Sequence, residues 1–186
     1  FELMAGEEKD QGNIEGAIKI LEEGIEKFKG TRNERTLKSA IAQLQLIGKP
    51  APEIKAEVWH NSEALKLEDL KGKAVVIDFW APWCNPCRAV IPNLIKKYNE
   101  LKDEGLVVIG FTKLYGRYSD DKEQLGPVEP DKEKEKIKEF VERFKITYPV
   151  AIADTGDAFK AYGVAGIPMI VLIDKEGNVK DFKVGS

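Results

Sequence analysis

Sulfur is scarce in this chain of 186 residues, which holds two cysteines, Cys84 and Cys87, and two methionines. Two cysteines cannot build the disulfide framework that replaces a core in small secreted domains. Histidine is scarcer still, with His60 alone. One histidine and two cysteines fall short of the roughly four ligands of a structural zinc site. Haem attachment is excluded as well, because Arg88 stands where a histidine would have to follow Cys87. No apolar run approaches the roughly 18 residues of a membrane span. The longest, Ala74 to Ala81, is broken by Asp78. An excess of basic charge is also missing. The 29 Lys and Arg face 32 Asp and Glu for a net charge of −3, so the chain lacks the electrostatic footprint of a nucleic-acid binder.

What is present is ample core material, 42% hydrophobic residues with 9% aromatics, too apolar for a disordered chain. Residues 1–48 differ in texture from the rest. Ile14, Ala17, Ile18, Leu21, Ile25 and Phe28 recur at helical spacing until Gly30 stops the run. A second helix carries Leu37, Ala40, Ile41, Leu44 and Ile47, with Thr31 or Asn33 as cap and Gly48 as terminator. The expectation is an N-terminal helical hairpin whose apolar stripe needs a partner surface. Gly12 to Ile18, with Leu21 and Gly24, resembles the turn and second helix of a tetratricopeptide repeat, part of one unit with no second copy.

Lys49-Pro50-Ala51-Pro52 marks the boundary to a second unit, residues 49–186. There the pattern alternates. Strands are expected over Ile54–Trp59, Ala64–Leu67, Ala74–Trp80, Leu106–Phe111, Val150–Ala153, Met169–Ile173 and Val179–Val184, with helices over Cys84–Leu101 and Glu133–Phe144. Such a sequence of elements gives a mixed α/β sheet flanked by helices. The charged run from Asp131 to Lys138 reads as a solvated helix face. His60 reads as a turn residue without a functional role.

The chemistry lies in Trp83-Cys84-Asn85-Pro86-Cys87, which follows a buried strand and opens a helix. A C-x-x-C pair in that context is a redox motif. The unpaired N–H groups and dipole of the helix N-terminus stabilise a thiolate at Cys84. Pro86 suits the first turn, where no amide is required, and holds the sulfurs at bridging distance.

Val76-Ile77-Asp78-Phe79-Trp80-Ala81-Pro82-Trp83-Cys84-Asn85-Pro86-Cys87-Arg88 resembles the active-site stretch of the thioredoxin superfamily. Gly48 to Glu53 and Tyr162 to Pro168 are similar to the TlpA/ResA-like branch of thiol–disulfide oxidoreductases. The resemblance implies a thioredoxin-like fold and the following roles. Cys84 would be the attacking thiolate and Cys87 the resolving thiol. Asp78, six residues before Cys84, would be a buried proton acceptor with a raised pKa. Ile167-Pro168 would be the cis-proline turn whose backbone pairs with an extended substrate. Trp83 would shield the pair, and Pro92 would kink the active-site helix. Val90 stands where that branch carries a glutamate, and Asp78 where many members have asparagine, so proton handling looks closer to thioredoxin's.

The resemblance implies no organic cofactor and no metal. It implies protein substrates with disulfides or thiols, an upstream redox partner, and an extracytoplasmic setting, periplasmic or membrane-anchored. The opening Phe1 is compatible with a processed signal or a membrane tether outside the chain. The chain closes after its last strand, and the hairpin is expected to cover the sheet face that a terminal helix covers in thioredoxins. The connection of about 20 residues before the Glu133 helix is expected to shape the partner surface, with Tyr115, Arg117 and Tyr118 as contacts. Two alternatives stand beside this reading. One is a scaffold protein recruiting partners through the helical-repeat fragment. The other is a thiol peroxidase, whose P-x-x-x-T-x-x-C setting the chain lacks.

Overall fold

The computed structural model describes residues 1–185. The chain begins with three helices, α1 (Glu2–Asp10), α2 (Ile14–Lys27) and α3 (Arg32–Leu46). The expected hairpin is therefore a three-helix unit. Asn13 caps α2 by accepting from the Gly16 amide at 3.0 Å. Ala5, Ala17, Leu21, Leu37 and Leu44 meet in a core of their own, so the stripe is buried largely among the helices themselves.

The second unit contains β1 (Val58–His60), β2 (Ala74–Phe79), α4 (Asn85–Leu101), β3 (Leu106–Lys113), β4 (Arg117–Ser119), β5 (Gln124–Pro127), α5 (Pro130–Arg143), β6 (Val150–Ala153), α6 (Asp157–Ala161), β7 (Met169–Ile173) and β8 (Val179–Val184). Six strands form one sheet in the order β1-β6-β3-β2-β7-β8. β2, β3 and β6 run parallel, while β1, β7 and β8 are antiparallel to their neighbours. The expected strand over Ala64–Leu67 does not form. The Leu67 amide is taken by the Glu53 carboxylate at 2.9 Å, and residues Leu67–Leu70 are a 3-10 turn. Only the end of the expected Ile54–Trp59 strand is extended into the sheet, and His60 closes it.

Alternation along β2 assigns the two faces. Val75, Ile77 and Phe79 point into a core with Ile109, Phe111, Val171, Phe159 and Tyr162. Trp80 points the other way, with Val108, Val150 and Ile152, under Ile91 of α4 and Ile137 and Phe140 of α5. The helical unit is strapped to the β8 side of the sheet. Gly48 N–H donates to Val179 O and Val179 N–H to Lys49 O, both at 2.8 Å. Gln43 of α3 donates to Gly163 O at 2.8 Å, and Ser39 Oγ donates to the same carbonyl. Lys9 of α1 pairs with Asp181 of β8 at 2.8 Å.

This topology gathers four segments at one sheet edge. β2, β3 and β6 exit there because they are parallel, and β7 starts there because Met169 is paired with Phe79. That is the edge at which α/β sheets bind ligands.

Candidate active site

At the β2 exit the chain turns through Pro82 and Trp83 into α4. Cys84 is the N-cap of that helix, and its sulfur accepts the Cys87 amide at 3.2 Å. Arg88 clamps the turn, donating to Pro82 O at 2.7 Å and to Asn85 Oδ1 at 3.1 Å. Cys84 and Cys87 are joined as a disulfide with Cα atoms 5.2 Å apart. Cys84 is 4% exposed and Cys87 is fully buried. Both sulfurs are therefore buried, Cys84 at the N-cap keeping a narrow exposed rim and Cys87, three positions on, turned under the helix. Asn85 and Pro86 are exposed beside the pair. Pro92 sits inside α4, where it removes one hydrogen bond of the ladder.

Asp78 lies on the face covered by α4, fully buried, with neither carboxylate oxygen hydrogen-bonded among the described residues. Burial pushes its pKa up to about 7, since a low-polarity surrounding disfavours the anion. Its neighbour across the ladder is Gly110. A Cβ there would lie 3.0 Å from the Tyr148 ring and 3.1 Å from Trp80 Nε1, so glycine is what lets both rings roof the carboxylate. The Trp80 indole N–H and the Thr112 hydroxyl are also buried without a partner. This face beneath the disulfide is thus polar as well as closed.

The Ile167–Pro168 peptide is cis and immediately precedes β7. Ile167 and Trp83 line one groove of about 360 Å³, together with Lys113, Tyr115, Phe159 and Val164. The connection after β3 supplies the opposite wall. It is a pinned hairpin, β4 against β5, rather than a solvated loop. Tyr115 meets the Trp83 ring edge-on at 5.3 Å, and the Arg117 guanidinium lies 5.6 Å from the same ring's centre. Lys113 Nζ sits 5.2 Å from the Tyr115 ring. Tyr118 is placed differently from expectation. It is buried, donating its hydroxyl to Asp120 at 2.6 Å, so it supports the hairpin from below and presents no contact surface.

Glu133 corrects the reading of the charged run as wholly solvated. It is 2% exposed, and its two oxygens accept the amides of Tyr115 and Gly116, each at 2.8 Å. Glu133 was hidden in sequence among alternating charges, with no local signal to separate it from its exposed neighbours. Lys113 and Phe159 were likewise missed. Only the parallel register, which brings the end of β3 beside the cysteine turn, would have pointed to Lys113.

Sheet order, cysteine turn and proline loop coincide in the thioredoxin fold, and the class they define is that of the thiol–disulfide oxidoreductases. The AhpC/TSA family model matches residues 47–182. The thiol–disulfide oxidoreductase ResA of Bacillus thuringiensis subsp. konkukian is 32% identical over 133 residues, 72% of this chain and 66% of that protein. ResA of Bacillus thuringiensis strain Al Hakam is 30% identical over 139 residues, 75% of this chain and 70% of its own length. The crystal structure of the thioredoxin domain of a thiol–disulfide oxidoreductase from Bacteroides vulgatus superposes with a TM-score of 0.59 at 27% identity, covering 75% of this chain and 89% of that one. The chain belongs to the AhpC/TSA family, and the TlpA/ResA-like resemblance read from its motifs holds.

Proposed function

We propose that the chain reduces protein disulfides through the Cys84–Cys87 pair. The observation that carries this reading is the Cys84–Cys87 disulfide at the N-terminus of α4, next to the groove-lining Trp83 and over the sheet face that holds the buried, unpartnered Asp78. In the reduced form the Cys84 thiolate attacks one sulfur of a substrate disulfide. The substrate S–S bond breaks, its other sulfur leaves as a thiolate, and a mixed disulfide with Cys84 forms. Cys87 then gives its proton to the Asp78 carboxylate and attacks the Cys84 sulfur. The mixed disulfide breaks, and the second substrate sulfur leaves. The pair has lost two electrons, the substrate has become a dithiol after taking up two protons, and the Cys84–Cys87 disulfide has formed. A dithiol donor of the same chemistry must return two electrons for the next cycle.

A pKa near 7 suits Asp78 to this exchange, because a base works best close to the operating pH. Ile167, which lines the groove with Trp83, and the cis Pro168 that follows it would hold the substrate backbone in extended form. Tyr115 and Arg117 would flank it. An extracytoplasmic setting accords with the ResA likeness and is tested by fractionating cells of the source organism.

The deciding experiment is the reduction potential of the pair, measured by equilibration against defined thiol buffers. The reductive reading expects a value near about −270 mV. A value near about −120 mV would mark an oxidant and overturn it. A Cys87→Ser variant should stop at the first step, and mass spectrometry without reductant should find Cys84 carrying the substrate.

A further inference from the structure

The groove beside the disulfide does not end at Phe159. A second groove, of about 490 Å³, shares Phe159, Val164 and Ala165 with it and continues to Gly163, Lys160 and the face of α3 that carries Arg35 and Lys38. The wall is continuous from Trp83 across α6 to the N-terminal helical unit. Ser39 and Gln43 both donate to Gly163 O, which fixes α3 against this rim.

The charges along this path are of one sign. Arg117 stands at the disulfide end, Lys113 at the junction between the Tyr115 and Phe159 rings (5.2 and 5.4 Å), and Lys160 and Arg35 at the far end. Among the described residues, none of these four lies within ion-pair distance of a carboxylate. Acids on the same elements are engaged elsewhere. Glu34 pairs with Lys38 and accepts the Gly30 amide, both at 2.6 Å, and Asp157 accepts from the Thr155 hydroxyl at 3.0 Å. Four cations without partners along one groove, in a chain of net charge −3, are a local inversion of its overall charge. Complementary charge across an interface raises the encounter rate and selects the partner.

We propose that the N-terminal helical unit is part of the substrate site, and that the preferred substrate is an extended protein segment with acidic residues flanking its reactive cysteine. The segment passes from Trp83 over Phe159 and Val164 to Arg35. This rests on the disulfide-exchange reading above, and the test separates the two.

Short peptides, each with one cysteine held as a mixed disulfide with mercaptoethanol and flanked by Glu, Gln or Lys, are reduced by the pre-reduced full chain. Tryptophan fluorescence follows the oxidation of the pair. The Glu peptide should react about tenfold faster than the Lys peptide at low ionic strength, and the advantage should shrink as salt rises. The Arg35→Glu/Lys160→Glu double variant changes only exposed side chains. It should erase that preference while reducing uncharged 2-hydroxyethyl disulfide at the parental rate. Equal rates for the three peptides, with 2-hydroxyethyl disulfide still turned over, overturn the acidic-substrate proposal and leave the exchange chemistry intact. A Glu preference that survives in the double variant removes α3 and α6 from the site. Failure to reduce any of the disulfides takes down both readings.

Discussion

Replacing Asp78 by asparagine removes a carboxyl that burial keeps protonated to a higher pH than in the unfolded chain, and the consequence is a pH dependence of stability with a definite sign. The carboxyl titrates at 3.8 in the unfolded chain and at about 7 in the folded one. Between those values the unfolded chain has released the proton while the folded chain still binds it. Stability therefore falls as pH rises through that window and levels off above it. At about 1.36 kcal/mol per pH unit, the fall between pH ~4 and pH ~8 is about 4 kcal/mol. Asp78→Asn carries a fixed cost for its buried amide, but that cost is the same at both ends and cancels in the comparison. The assay is urea unfolding of the oxidised protein followed by tryptophan fluorescence. With a slope of about 2 kcal/mol/M, the midpoint of the parent should drop by about 2 M relative to the variant between the two pH values. Parallel pH profiles for the two proteins would refute the claim that burial of an unpartnered carboxylate governs this site.

Three further outcomes follow from the same geometry. Glu133→Ala leaves the part-buried amide of Tyr115 and the more exposed amide of Gly116 without their carboxylate acceptor and should cost about 1–3 kcal/mol, read by urea unfolding, with Glu133→Gln intermediate. Gly110→Ala drives a methyl group against Tyr148 and Trp80 and should destabilise by about 1–3 kcal/mol, visible as a lowered melting temperature. The rate of mixed-disulfide resolution should rise with pH through about 7 as Asp78 becomes a base, and single-turnover kinetics of Asp78→Asn should lack that rise.

Much of the fold was legible because strong periodicity and burial coincide. β2 reads as a buried strand in sequence, and Val150–Ala153, Met169–Ile173 and Val179–Val184 are strands with the expected bounds. α1 left no signal, since only Ala5 of its nine residues is buried and Leu3 and Met4 face solvent. Leu65 and Leu67 alternate like a strand, yet a single carboxylate, Glu53, replaces the strand partner. No local pattern encodes that substitution. The β4–β5 hairpin was illegible for a related reason. Its hold comes from α5, where Glu133 takes its amides and Arg143 reaches Asp120 and Asp121. The cysteine pair was legible because a C-x-x-C after a strand and at the start of a helix is itself the geometry, whereas Asp78 was legible through the family resemblance of the strand that carries it. The roof over Asp78, made by Gly110, Trp80 and Tyr148, needed the sheet register.

The strap between the two units bears on how copies of the molecule meet one another. β8 is an outer strand, and an outer strand with free backbone groups invites a neighbour to add on. Here the Gly48–Ala51 segment lies against the start of β8, with Pro50 bridged to Asn178 and the Ala51 amide donated to Gly177 O. The rest of β8 carries Lys180, Asp181 and Lys183, charges that resist a flat second strand. The opposite border, β1, is three residues long. Both margins of the sheet are therefore closed to templated growth. A thiol–disulfide oxidoreductase with an open strand edge would otherwise offer its protein substrates a template on which to accumulate.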